Sequence, residues 1–178
     1  MKKMLKGRSK LIFVLGGAAS GKSQAALELA GKARPRAFVA TGQALDREMK
    51  TRIERHQASR SADWKTAEVP IDIVTWFKDN KSKYQVVVLD CLTLWLSNLH
   101  GRRLDDIAIS DATNNLLHAI RATRARVVIV SNELGLGLVP ATKAVRAFRD
   151  LAGRINQQVA AEADEVYMAI SGLPLRLK

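Results

Sequence analysis

The stretch Leu11–Ser23, LIFVLGGAASGKS, decides the fold of this chain. Five apolar residues, Leu11 to Leu15, run directly into Gly16 and Gly17. The segment Gly16-Gly17-Ala18-Ala19-Ser20-Gly21-Lys22-Ser23 then fits the G-x-x-x-x-G-K-[ST] phosphate-binding pattern. Glycines let backbone N–H groups converge on phosphate oxygens with no side chain in the way. Ser23 is expected to open a helix whose exposed N–H groups and dipole favour an anion. Lys22 can reach the β- and γ-phosphates, and the Ser23 hydroxyl can ligate magnesium. The flanks agree: an apolar strand precedes the loop, and Gln24–Ala30, a run of helix formers without Gly or Pro, follows it. The pattern predicts binding of a nucleoside triphosphate.

Composition sets the frame around that motif. A chain of 178 residues, 47% hydrophobic and 26% charged, makes one globular domain with an ample core, expected over residues 11–178. The single cysteine, Cys91, excludes an internal disulfide framework and suits a reducing, cytoplasmic compartment. No apolar run approaches the roughly 20 residues of a membrane span. Residues 1–10 form a basic extension whose following apolar run ends in the phosphate loop, so it is no signal peptide. The formal net charge is +12, part of it from Lys2, Lys3, Lys6, Arg8 and Lys10. Such a surface can steer polyanionic nucleotides or bind nucleic acid non-specifically. With only 5% aromatics and no basic–aromatic interleaving, functional nucleic-acid binding is not expected.

Outward from the loop, strands and helices alternate. Arg36–Ala40 is a second strand ending at Thr41-Gly42, and a polar helix is expected over about 44–58. There Leu45, Met49, Ile53 and His56 share one face. Trp64–Glu68 is extended and stopped by Pro70; a helix follows to Asp79. Tyr84–Asp90 and Val127–Asn132 are buried strands, with helical patterns over Leu92–Leu99 and about 112–123 between them. After a glycine-rich loop, Glu133–Pro140, a long helix spans about 142–163, and a hairpin about Ser171–Pro174 closes the chain. Strand–helix alternation predicts an α/β fold: a mainly parallel sheet between two helical layers, ending in an antiparallel hairpin. Ligands of such sheets sit beyond the carboxyl ends of the strands, so one crevice should gather Gly16, Gly42, Asp90 and Asn132.

Four further positions could carry chemistry. Asp90 ends an apolar strand downstream of the loop, where a magnesium-associated carboxylate belongs; the alternative is a helix N-cap before Leu92. His100 and His118 sit in polar surroundings and are expected at the surface. His56 admits two readings. It packs beside Met49 and Ile53 as a partly buried ring, or, kept neutral by Arg52 and Arg60, it acts as a nitrogen nucleophile toward phosphorus. Glu68 could accept two donors from guanine or be a plain exposed carboxylate. Asn132-Glu133 opens either a shaped active-site loop or a simple connection.

Together these pieces resemble the bifunctional adenosylcobinamide kinase/adenosylcobinamide-phosphate guanylyltransferases. The likeness rests on GGAASGKS at Gly16–Ser23, ATGQALDREM at Ala40–Met49, RIERH at Arg52–His56 and WKTAEVP at Trp64–Pro70. It continues through LDCLTLWLSNL at Leu89–Leu99, SNELGLGLVP at Ser131–Pro140 and FRDLAGRINQQVAAEADEVY at Phe148–Tyr167. The phosphate loop alone is widely shared; the order of RIxxH, TxExP and SNExGxGxxP is far more specific. The resemblance implies a three-layer, RecA-like P-loop NTPase fold and two reactions. The kinase step moves the γ-phosphate of ATP or GTP to adenosylcobinamide; the second step transfers GMP from GTP to the resulting phosphate. It further implies that His56 carries GMP covalently and that Lys22 serves catalysis. Implied nucleotide contacts are Gly16, Gly17, Ala18, Ala19, Ser20, Gly21, Lys22, Ser23, Ala40, Thr41, Gly42, Gln57, Ala58, Ser59, Arg60, Glu68 and Asp90, with Ser23 and Asp90 on Mg2+. A homotrimer is also implied. One departure is local: members of the family often carry an arginine in the loop where this chain has Ala18-Ala19. Two rivals make different demands: a P-loop small-molecule kinase without guanylyl transfer, and a RecA-like nucleic-acid ATPase using the positive charge.

Overall fold

The computed structural model describes residues 9–58 and 60–178, with Arg52 by its backbone alone. The expected basic tail through Arg8, and Ser59, lie outside the described residues. One seven-stranded sheet organises the rest. Its strands are β1 (Lys10–Gly16), β2 (Arg36–Ala40), β3 (Trp64–Glu68), β4 (Val86–Asp90), β5 (Arg126–Asn132), β6 (Glu165–Ile170) and β7 (Leu173–Arg176). The order across the sheet is β3-β2-β4-β5-β1-β6-β7, and every pairing is parallel except β6 with β7. The helices are α1 (Lys22–Ala30), α2 (Arg47–Ala58), α3 (Ile73–Asp79), α4 (Leu92–Gly101), α5 (Asp106–Arg121) and α6 (Lys143–Glu162).

The alternation of a strand's side chains divides the core in two. Leu11, Phe13 and Leu15 point to the face covered by α3, α4, α5 and α6, where Phe77, Trp95, Leu116 and Ile155 are buried. Ile12 and Val14 point to the other face, against Ala25, Ala26 and Ala30 of α1. Alanines on that helix let it lie close over the central strands. Helix α2 belongs to neither core; it is exposed along most of its length, with Met49 and Ile53 half-buried.

Four element boundaries correct the sequence reading. Helix α2 starts at Arg47, because the Asp46 carboxylate caps it by accepting the Met49 N–H at 2.7 Å. Leu45 therefore lies outside the helix and is 83% exposed rather than on its apolar face. Helix α5 starts at Asp106, well before the expected position near Ala112, because Asp105 caps it through the Ala108 N–H. The hairpin turns on two residues only, Ser171 and Gly172, both with positive φ, and Pro174 already belongs to β7. Lys10 is part of β1 and pairs with Glu165 at 2.5 Å, so the fold begins inside the expected basic extension.

Candidate active site

At the carboxyl ends of the strands lies a cavity of about 620 Å³. Its walls come from the phosphate loop, the β2 and β4 ends, one face of α2, and Asn132 at the end of β5. The crevice expected at the strand ends thus contains Gly42, Asp90 and Asn132, while Gly16 sits behind it as a buried end of β1.

The phosphate loop is built tightly. A Cβ at Gly16 would stand 2.3 Å from Ser20 Oγ, so a side chain there would displace the loop. Gly21 has φ +86°, and a Cβ on it would meet the Gly172 Cα at 2.8 Å. The hairpin turn is therefore pressed onto the loop, and the Gly172 N–H donates to Ser20 O at 2.9 Å. No side chain caps α1, whose first N–H groups are left to face the cavity. Lys22 is buried, and its ammonium donates to Gly17 O at 2.9 Å across the loop. Ser20, Gly21, Lys22, Ser23 and Ala19 line the cavity; Gly17 and Ala18 do not.

Thr41 is not a cavity residue but a fully buried brace. Its hydroxyl donates to Cys91 O at 2.7 Å and accepts the Cys91 N–H at 2.9 Å. Asn98 ties the same region together, donating to Thr41 O at 2.8 Å and Pro70 O at 2.9 Å. These bonds hold Asp90 at the cavity wall. Asp90 is not the cap of α4; Cys91 is, with Sγ accepting the Leu94 N–H at 3.5 Å. Burial, reinforced by the adjacent Asp90 carboxylate, pushes the Cys91 thiol up to about 12. It stays a neutral thiol there.

The opposite wall carries His56, Gln57, Arg60 and Glu68; Ala58 lies outside the lining. His56 is exposed on α2 and opens onto the cavity, so the packed-ring reading fails. His100 and His118 are exposed, as expected. Gln57 Nε2 donates to Glu68 Oε1 at 3.2 Å, linking α2 to the end of β3. The Arg60 guanidinium carbon lies over Phe38, 3.8 Å from the ring centroid, and its Nη1 is buried with no hydrogen-bond partner among the described residues. Burial lowers the Arg60 pKa, opposed by the Asp90 carboxylate. A planar cation with a buried, unused donor is equipped to receive a phosphate or ribose oxygen. Met49, Ile53 and Leu94 add an apolar patch that the sequence reading missed as cavity lining.

The cation question can be tested on the donors present. Ser23 and Asp90 both line the cavity and offer a hydroxyl and a carboxylate, hard oxygens that suit Mg2+. Among the described residues no cluster of three or more His, Cys, Asp and Glu could hold a metal alone. The set fits an ion that completes its shell with water and substrate phosphates. No described helix is long and apolar enough to cross a membrane.

Comparison with known proteins adds to this geometry. The chain is 39% identical over 180 residues to the bifunctional adenosylcobalamin biosynthesis protein CobU of Salmonella typhimurium, covering 94% of this chain and 99% of that protein. It is 38% identical over 168 residues to the bifunctional adenosylcobalamin biosynthesis protein CobP of Pseudomonas aeruginosa, covering 93% and 96%. Among solved structures, an ATPase from a type III secretion system superposes with a TM-score of 0.56 at 14% identity. That match spans 96% of this chain and 57% of the other, and it supports a RecA-like P-loop fold alone. The family model for cobinamide kinase / cobinamide phosphate guanyltransferase matches residues 12–177, and the chain belongs to that family.

Proposed function

We propose that both reactions of the family run in this one cavity, with His56 carrying GMP between the two halves of the guanylyl transfer. As a member of the family the chain is a bifunctional transferase of cobalamin biosynthesis, a cobinamide kinase and cobinamide-phosphate guanylyltransferase. In the kinase step the hydroxyl of the adenosylcobinamide aminopropanol arm attacks the γ-phosphorus of ATP or GTP. The new O–P bond forms as the bond to the β-phosphate oxygen breaks, the nucleoside diphosphate leaves with the electron pair, and the hydroxyl proton is lost to solvent. Lys22 and the α1 N–H groups hold the phosphates in line. Mg2+, held by Ser23 and Asp90, would supply neutralisation of phosphate charge.

In the transferase step a ring nitrogen of His56 attacks the α-phosphorus of GTP through its lone pair and pyrophosphate leaves. The P–N bond is then broken by a phosphate oxygen of adenosylcobinamide-phosphate, giving adenosylcobinamide-GDP and free histidine. Arg60 and Gln57 flank the ribose–phosphate side, and the Glu68 carboxylate accepts from guanine, which distinguishes GTP from ATP. Ala40 and Gly42 leave backbone open to the nucleotide. The observation that carries this reading is that His56 and the phosphate loop line the same cavity.

Incubation with GTP and magnesium in the absence of corrinoid, followed by intact-mass measurement, tests it. A GMP-sized gain that is acid-labile, base-stable and absent from His56→Ala supports the covalent route. A wild type that binds GTP and gains no mass overturns it.

We further infer a cytoplasmic homotrimer. Leu173, Leu175 and Leu177 are 74%, 56% and 60% exposed on and just beyond the edge strand β7, and Leu136 and Leu138 are exposed in the loop after β5. Apolar edges of this kind need covering. Light scattering on the eluting protein decides the assembly.

A further inference from the structure

Strand β5 runs between β1 and β4, so its carboxyl end lies between the phosphate loop and Asp90. Asn132 is the last residue of β5 and stands opposite Gly16, the first residue of the loop, in the parallel register. Its backbone is held on both sides. The N–H donates to Thr93 Oγ1 at 2.8 Å, and the carbonyl accepts from Asn156 Nδ2 at 3.1 Å. Those two side chains are themselves joined through Ser131. Thr93 Oγ1 and Ser131 Oγ lie 3.1 Å apart, and Ser131 Oγ donates to Asn156 Oδ1 at 2.8 Å.

Thr93, Ser131 and Asn156 are 6%, 0% and 4% exposed, on α4, β5 and α6 respectively. Burying three polar side chains among apolar neighbours costs stability unless each is satisfied, and aliphatic residues would fill the same space without that demand. What the network accomplishes is to fix the orientation of one residue. Asn132 lines the nucleotide cavity, and with both backbone groups engaged, the polar atoms it can offer there are those of its carboxamide.

We propose that Asn132 is a γ-phosphoryl contact of the kinase step, with Thr93, Ser131 and Asn156 as its positioning residues. The inference rests on the reading of the cavity given under Proposed function. The carboxamide Nδ2–H group donates to an equatorial oxygen of the transferring phosphoryl group, from the side between Lys22 and Asp90. A neutral donor fits that place: it stabilises charge on the phosphoryl oxygens without adding a second carboxylate beside Asp90. Guanylyl transfer breaks a bond at the α-phosphorus instead, so the contact serves one reaction far more than the other.

The test uses the full chain with Asn132→Ala and Asn132→Asp. Two rates are measured: phosphoryl transfer from ATP to adenosylcobinamide, and formation of the GMP adduct from GTP without corrinoid. Asn132→Ala is expected to lower kcat of phosphoryl transfer about a hundredfold with KM for ATP changed little. Its loss in adduct formation is at least tenfold smaller. Asn132→Asp falls further, because it places an anion against the phosphoryl group. Loss of both reactions in equal measure overturns the assignment, as does a kcat within threefold of wild type in a variant whose melting temperature is unchanged. A wild type that phosphorylates but forms no adduct overturns the covalent-histidine reading; the Asn132 contact is then decided by kcat and KM alone.

Discussion

Thr41→Val isolates the brace behind Asp90. The two side chains have nearly the same shape, so no cavity is created; what disappears is one hydroxyl that makes two hydrogen bonds to the Cys91 peptide groups. Thr41 is 0% exposed and Cys91 is 4% exposed, so water cannot take over either bond. Leaving a buried N–H or C=O unsatisfied costs about 1–3 kcal/mol each. The Cys91 carbonyl keeps the Trp95 N–H, which donates to it at 3.2 Å, so only the Cys91 N–H is orphaned and the expected loss is about 2 kcal/mol. At about 2–4 °C per kcal/mol for a domain of this size, the melting temperature should fall by about 4–8 °C. Thr41→Ser keeps the hydroxyl and removes one methyl group, which costs about 1 kcal/mol. Urea unfolding followed by tryptophan fluorescence, to which Trp64, Trp76 and Trp95 all contribute, separates the two variants. The same change loosens the peptide that follows Asp90, and kinase kcat should fall at least about tenfold in Val and much less in Ser. Val and Ser variants of equal stability would refute the argument, since they would show that the Cys91 peptide groups do not depend on the Thr41 hydroxyl.

Gly21→Ala combines a left-handed φ with a contact at 2.8 Å to Gly172, so it should push the hairpin off the phosphate loop and cost about 2–5 kcal/mol. A melt and a nucleotide titration read both effects. Arg60→Ala should raise KM for GTP about tenfold to a hundredfold, and Arg60→Lys should rescue little, because an ammonium lacks the forked donors of a guanidinium seated over Phe38. Glu68→Gln should cut GTP adduct formation about tenfold or more while leaving ATP-driven phosphoryl transfer within about twofold. With its thiol pushed up to about 12 and only 4% exposed, Cys91 should react with iodoacetamide at pH 8.5 many-fold more slowly in the native protein than in urea. A native rate equal to the unfolded one contradicts the burial argument.

The parts of this fold legible in the sequence are those where one local signal was sufficient. An apolar run ending in glycines placed β1 and its loop, and Asp90 and Asn132 at strand ends located the cavity because parallel sheets open there. The boundaries went wrong where capping competed with periodicity. Ala44 and Leu45 fit a helical pattern, yet the Asp46 side chain sets the helix start by accepting the Met49 N–H. Asp105 carries the same signal ahead of α5, in a stretch where apolar periodicity has not yet begun. The site was less legible wherever its meaning depended on pairing across the fold. Phe38 read as an ordinary strand residue until Arg60 lay across its ring. Thr41 sat in a motif that pointed to the nucleotide, and the structure turns its hydroxyl inward instead. Thr93 and Asn98 were visible only as polar residues inside the apolar run LTLWLSNL, a pattern that signals a buried partner without naming it.

The same geometry settles where the positive charge of the chain does not act. Lys22 and Arg60 line the cavity together with Asp90 and Glu68, so the ionised groups there come close to balance. Part of the excess lies elsewhere: Lys32, Arg124 and Arg126, beside the Glu165-paired Lys10, line a shallow cleft by the opposite ends of the strands, against a net charge of +12 for the chain. A triphosphate in the cavity is therefore held by short-range donors, namely the α1 N–H groups, the Lys22 ammonium and the buried Arg60 guanidinium. The distant lysines act on it only through a screened field. That division also accounts for Cys91. A serine or threonine would cap α4 as well, and an aspartate better, but the residue after Asp90 must also pack with Val128 and Val130 against α1. An ionised cap there would set a second negative charge beside the carboxylate that faces the phosphates. A thiol held neutral by burial meets both requirements, and it leaves Asp90 as the one anion on that wall.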